Sequence, residues 1–150
     1  MTDFLQRLLR LWTEPIRDDF EARAAFAQVY ADPVVINGVP MAVAGLVDRA
    51  RSLQHAFDGL SMQILDRVET PDRIVIAFIM HGRHVGPYAS PLGDVSPTGR
   101  DVQVRTIDVL TLDSGLVSAI WVVADDLGML TQLGAVGPLR TQPQPPGGAR

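Results

Sequence analysis

Residues 73–84 read RIVIAFIMHGRH. The stretch is long, β-branched and free of Gly and Pro until its end, which predicts a strand. Strand alternation places Phe78, Met80, Gly82 and His84 on one face. Val75, Ala77, Ile79, His81 and Arg83 lie on the other. Pro71-Asp72 turns the chain just before it. Ahead of that turn, Ser61 to Thr70 sets Met62, Ile64 and Asp66 against Gln63, Leu65 and Arg67, a second strand. After His84, Val85 to Gly99 carries Pro87, Pro91 and Pro97 with Gly86, Gly93 and Gly99, and reads as a loop. Asp101 to Leu112 is a strand, Asp113-Ser114-Gly115 a hairpin turn, and Leu116 to Ala124 the last strand. Asp126 to Leu133 is a helix that Gly134 ends.

The N-terminal third reads differently. Leu5, Leu8, Leu9 and Trp12 recur at helical spacing, so Asp3 to Trp12 is a short amphipathic helix stopped by Pro15. Asp18 or Asp19 caps a second helix that carries Phe20, Ala24, Phe26, Ala27 and Tyr30 and ends near Ala31. Val34 to Ile36 is a short strand closed by Asn37-Gly38. Met41 to Phe57 is a third helix, closed by Asp58-Gly59. Helices first, then an antiparallel meander, define an α+β fold. A cone-shaped curved antiparallel sheet wraps around the N-terminal helices, with a small-molecule pocket inside the cone. Residues 1–136 form the domain, and the four-proline stretch 137–150 reads as a disordered tail.

Composition narrows the function. The 150 residues are 47% hydrophobic and carry net charge −4. That charge argues against nucleic acid as a partner. With no cysteine there is no disulfide, thiolate nucleophile or zinc–thiolate site. All 13 basic residues are Arg, so Schiff-base lysine chemistry is excluded. No apolar run is long enough to span a membrane and no signal-peptide pattern opens the chain, so a cytoplasmic protein is expected. The Arg-only, Ala-rich composition hints at a GC-rich bacterial genome. His81 and His84 are three apart on a strand and point to opposite faces, which rejects a metal pair.

Three pieces carry a resemblance: Gly82-Arg83-His84-Val85-Gly86, Pro97-Thr98-Gly99-Arg100 with the following Ile107-Asp108, and Asp125 to Gly134. In order and spacing they resemble the SnoaL-like polyketide cyclases of the nuclear-transport-factor-2-like superfamily. The resemblance implies the cone fold, a homodimer or higher oligomer, and cofactor-free chemistry on a polycyclic or polyketide-like substrate. The best-known members close a ring by an intramolecular aldol reaction, with an Asp on the last strand helped by a His on the strand before. A gapless fit places Val122 at the Asp position and Asp108 at the His position.

Acid/base chemistry on a carbon acid needs a carboxylate or imidazole poised near the working pH. His84 is a candidate proton shuttle. Asp108 is a second, because it shares its face with Val102, Val104, Thr106 and Leu110, and a lone carboxyl on an apolar face is costly to bury. The two are expected to project into one hollow. Asp125 caps the last helix and can reach the pocket mouth. Asn37, Trp121, Tyr30, Phe57, Met80 and Tyr88 are candidate substrate contacts, with Val85 to Gly99 as a lid. Arg105 lies on the face opposite Asp108, which weighs against an Asp-Arg-Asp epoxide-hydrolase site. The sequence therefore predicts a cofactor-independent cyclase or isomerase acting on a hydrophobic small molecule. The alternatives are a ligand-binding module of the same fold and an epoxide-hydrolase-like enzyme.

Overall fold

A computed structural model describes residues 2–140. Most of the 137–150 tail thus lies outside the described residues. Helix α1 (Thr2–Thr13) buries Leu5, Leu8 and Leu11, one side of a 3.6-residue repeat. Helix α2 (Asp19–Ala27) is capped by Asp18, whose carboxylate accepts the Glu21 N–H at 2.8 Å. Strand β1 (Tyr30–Ile36) and β2 (Val39–Met41) form a hairpin, and α3 (Val43–Ala56) leads directly into β3 (Phe57–Glu69). Then follow β4 (Arg73–His84), β5 (Tyr88–Ser90), β6 (Gly93–Val95), β7 (Asp101–Asp113), β8 (Leu116–Ala124) and α4 (Asp126–Gln132).

The main sheet runs β2-β1-β8-β7-β4-β3. Its pairs are antiparallel except β1 with β8, which is parallel, so the sheet is mixed. The α+β cone expected from the sequence is present, and the bounds of β4 and β8 agree with it to the residue.

Four local expectations are corrected. Tyr30 leaves the second helix, which ends at Ala27, and opens β1. The Val117 N–H donates to Val29 O at 2.8 Å, and Tyr30 stands opposite Val117, so long-range pairing overrides the local helical spacing. Asn37-Gly38 does not merely end a strand. Both residues have positive φ (49° and 82°), the two-residue turn that hairpins prefer, and β2 follows. Asp58-Gly59 does not close the third helix with a turn. Phe57 already pairs with His84, and Gly59, at φ 61°, lies in the irregular stretch of β3 between Asp58 and Ser61. The Val85–Gly99 segment holds a small hairpin, β5–β6, as a separate two-stranded sheet.

Two apolar clusters fill the cone. The larger joins the three N-terminal helices to β1, β4, β7 and β8 through residues such as Leu46, Ile74, Ile76 and Val117. The smaller, around Phe57, Met80, Val104 and Met129, closes the end covered by α4 and the hairpin. No helix among the described residues is long and apolar enough to cross a membrane.

Candidate active site

Between the helices and the concave face of the sheet lies a cavity of about 200 Å³. Its floor comes from the inward face of β7, where Thr106, Asp108 and Leu110 alternate with outward residues. Phe78 and Met80 of β4 and Ile120 and Val122 of β8 flank that floor. Leu8, Leu9 and Trp12 of α1 and Leu53 of α3 roof it. The cavity is thus mostly apolar, with Tyr30, Arg49, Thr106, Asp108 and the Trp12 indole as its polar groups.

Asp108 is the most consequential of these. Its Oδ1 is buried and has no hydrogen-bond partner among the described residues. A carboxylate taken from water without compensation is penalised in its charged form. Burial accordingly pushes the Asp108 carboxyl up from 3.8 to about 7. Both protonation states are therefore populated near neutrality, as an acid/base group requires.

Tyr30 is the second polar group. Trp12 Nε1–H donates to Tyr30 Oη at 2.8 Å. Phe26 stacks on the Tyr30 ring at 5.9 Å and meets the Trp12 indole edge-on at 6.1 Å, so the phenol is held from behind. Burial drives the Tyr30 hydroxyl well above its ordinary value; the Trp12 hydrogen bond offsets this in part, and the charge of Asp108 adds to it. Tyr30 stays protonated. Its oxygen accepts from Trp12, which leaves its own proton free to be donated.

Of the residues expected at the site, Asp108, Tyr30 and Met80 line this cavity. The expectation that His84 and Asp108 share one hollow is corrected. The strand partner of Asp108 on β4 is Ile76. His84 lies eight residues further along, about 26 Å at strand rise. It is fully buried beside Phe57 (ring centroids 5.5 Å apart). The Thr98 N–H donates to its Nδ1 at 3.2 Å, so the neutral ring carries its proton on Nε2, which has no partner among the described residues. Strand parity gave the correct face but not the position along it.

The other expected contacts also lie elsewhere. Asp125 is exposed and caps α4, accepting the Gly128 N–H at 2.9 Å. Asn37 is spent on β8: its Nδ2 donates to Val122 O at 3.2 Å and its Oδ1 accepts the Val122 N–H at 2.9 Å. Trp121 is 60% exposed on the outer sheet face. Phe57 belongs to the second cluster, and Tyr88 packs edge-on against it at 5.6 Å.

Two cavity residues escaped the sequence reading. Trp12 was legible only as helix face, although a buried indole N–H demands an acceptor. Arg49 sits three residues after Leu46 and four before Leu53, so it shares their side of α3. A lone cation in register with an apolar stripe was the available signal.

A curved sheet wrapped over helices, with an apolar cavity between them, defines the cone-shaped α+β class. Residues 2–133 match the family described as SnoaL-like polyketide cyclase. The chain belongs to that family. Its fold is shared with TsrD from Streptomyces laurentii (23% identity, TM-score 0.74, covering 90% of this chain and 95% of that one). It is shared too with a SnoaL-like polyketide cyclase from Agrobacterium tumefaciens (20% identity, TM-score 0.68, 89% and 97%). A search of curated proteins returned no match.

Proposed function

We propose that the protein is a cofactor-independent acid/base enzyme, a cyclase or isomerase, acting on a hydrophobic, polyketide-like small molecule, with Asp108 moving the proton. The observation that carries this reading is the buried, unpartnered Asp108 Oδ1 in a mostly apolar cavity. The Asp108 carboxylate takes a proton from a carbon beside a carbonyl. As negative charge grows on the carbonyl oxygen, the Tyr30 hydroxyl donates to it, and the Trp12 hydrogen bond makes that hydroxyl a stronger donor. The Asp108 acid then returns the proton. It goes to a second carbon in an isomerisation, or to the alkoxide formed when the enolate carbon adds to another carbonyl of the same molecule.

The neighbouring strand supports the assignment. Asp108 and Val122 are cross-strand partners, and both line the cavity. Paired Cβ atoms lie about 5 Å apart. A carboxyl at 108 therefore reaches nearly the same region that an acid at 122 would serve in the cyclases.

The test uses 2-tetralone, an apolar enolisable ketone, in deuterated buffer, with exchange followed by NMR. Wild-type protein should accelerate exchange over buffer, with a rate rising through about pH 7 as Asp108 ionises. Asp108→Asn should lose about a hundredfold or more, and Tyr30→Phe about tenfold. Exchange unchanged in Asp108→Asn would sink the proposal. Val122 favours a second reading, a binder without turnover. Tetralone bound by the wild type without enhanced exchange would select it.

The reading extends to assembly. Val123 (74% exposed) pairs across strands with the exposed Ile107, and Trp121 pairs with Val109, on the outward face of the sheet. A contiguous apolar strip of this kind suits a second copy of the chain. Sedimentation should show a homodimer that Val123→Glu converts to monomer. A wild-type monomer at micromolar concentration would defeat this assembly.

A further inference from the structure

A cavity of about 200 Å³ is small for a polycyclic molecule. An apolar hole of about 150 Å³ holds one benzene, and drug-sized ligands occupy about 300 Å³ or more. The cavity alone therefore seats one ring or a compact fused pair, and little else. Any larger molecule must extend beyond it.

One opening of the cavity is marked by Arg49 and Leu53, as another is marked by Leu9 and Met62 towards a recess between α1 and β3. Arg49 and Leu53 line the cavity, and both also line a groove of about 860 Å³ between α3 and the β5–β6 hairpin. Tyr88 and Pro87 form part of the far wall of that groove, and Asp48, Asp94 and Asp126 also line it, so Arg49 is the one guanidinium among its described lining residues and the place where an anion is favoured. The two spaces are thus consecutive, and Arg49 stands at their junction.

Arg49 is exposed, and its guanidinium forms no ion pair or hydrogen bond among the described residues. The Asp108 Oδ1 is equally unengaged. Two opposite charges border one small cavity without meeting each other. The interval between them is where a ligand with its own charge is held at one end and worked on at the other. An Arg fork is well matched to a planar anionic oxygen group.

The geometry points to a two-part substrate: an apolar ring seated in the cavity against Asp108, with an anionic oxygen group, a carboxylate or an enolised 1,3-dicarbonyl, held by Arg49 at the neck and the remaining scaffold lying in the α3–hairpin groove. This rests on the reading of the cavity as the substrate site. It adds Arg49 as the residue that selects which hydrophobic molecules enter.

The experiment compares 2-naphthoate with 2-naphthamide, which share a shape and differ in charge, by calorimetry with the full chain. At pH 6 Asp108 holds its proton and does not repel the anion. Naphthoate should bind at least tenfold tighter than naphthamide, and Arg49→Gln should reduce the ratio to near one. Arg49 is exposed, so Arg49→Gln folds, and its thermal midpoint verifies this. Benzoylacetone forms the second arm: an enolate absorption band on binding, lost in Arg49→Gln, assigns the anionic group to an enolate, whereas a naphthoate preference without that band assigns it to a carboxylate. Equal affinities in the wild type, a preference that survives Arg49→Gln, or no binding of either naphthalene at millimolar concentration, combined with no enolate band, overturns the inference. If the carboxylate preference holds while tetralone exchange fails, the proposed reaction falls and the Arg49 site stands.

Discussion

Asp108→Asn should be more stable than the wild-type protein at pH 8 and should lose that advantage at pH 4. The cause is linkage. In the unfolded chain the carboxyl titrates near 3.8, and in the folded protein near 7. Below 3.8 it is protonated in both states and burial costs little. Between 3.8 and 7 the unfolded chain gives up its proton while the folded one keeps it, so the unfolded state binds fewer protons and stability falls as pH rises. Above 7 the loss is complete and constant. The interval from 3.8 to about 7 corresponds to about 4 kcal/mol. An amide escapes this titration but keeps an unpartnered polar group, which costs about 1–3 kcal/mol. The net gain at pH 8 should be about 1–3 kcal/mol, or a few degrees in Tm for a chain of this size. Urea midpoints of both proteins from pH 4 to 9 test it: the two curves must diverge between pH 4 and 7. Parallel curves would mean that Asp108 is solvated or paired. The same substitution should remove proton transfer. A variant both more stable and less active is the signature of a group retained for chemistry.

How far the site could be read in advance depended on which kind of geometry each residue needed. Asp108 was visible because a single carboxyl interrupts an apolar alternation, and alternation is a local property. His84 was placed on the correct face for the same reason, but distance along a strand depends on pairing, and the register of β4 on β7 sets it far from Asp108. Trp121 shows the same limit. Once Asp108 is opposite Val122, Trp121 must face outward, yet nothing local reveals that register. Asn37 sits at a legible turn, but its second role, bridging to the β8 backbone, joins residues 85 apart. The fold was more legible than the site. The long strands carry their own apolar alternation, whereas β2, β5 and β6 have three residues each, too few to show a period.

Gly86→Ala should be the most damaging glycine-to-alanine change among the described residues. A Cβ at Gly86 would clash with the carbonyl oxygen of His55 and lie 3.1 Å from its carbonyl carbon and 3.3 Å from Cα of Ala56. These are backbone atoms and cannot swing aside. The approach is that close because the Val85 and Gly86 N–H groups both donate to Ala56 O, at 2.9 and 3.1 Å, which ties the end of β4 to the junction of α3 and β3. Relief requires the strands of chain to separate and both bonds to lengthen, a loss of about 3 kcal/mol or more. For a chain of this size that lowers Tm by about 6–12 °C. Gly128→Ala makes an instructive contrast. Its Cβ would clash as closely with the Asp125 carboxylate, but that side chain can rotate away at the cost of a helix cap, about 1 kcal/mol. Urea unfolding of the two variants should therefore separate them by about 2 kcal/mol, and equal losses would show that the backbone contact is softer than its geometry implies. The effect should also reach function. The displaced segment is the C-terminal end of α3, the helix that presents Arg49 and Leu53 to one opening of the cavity. Gly86→Ala, assayed below its lowered midpoint, should thus bind naphthoate more weakly although it alters no group that touches the ligand.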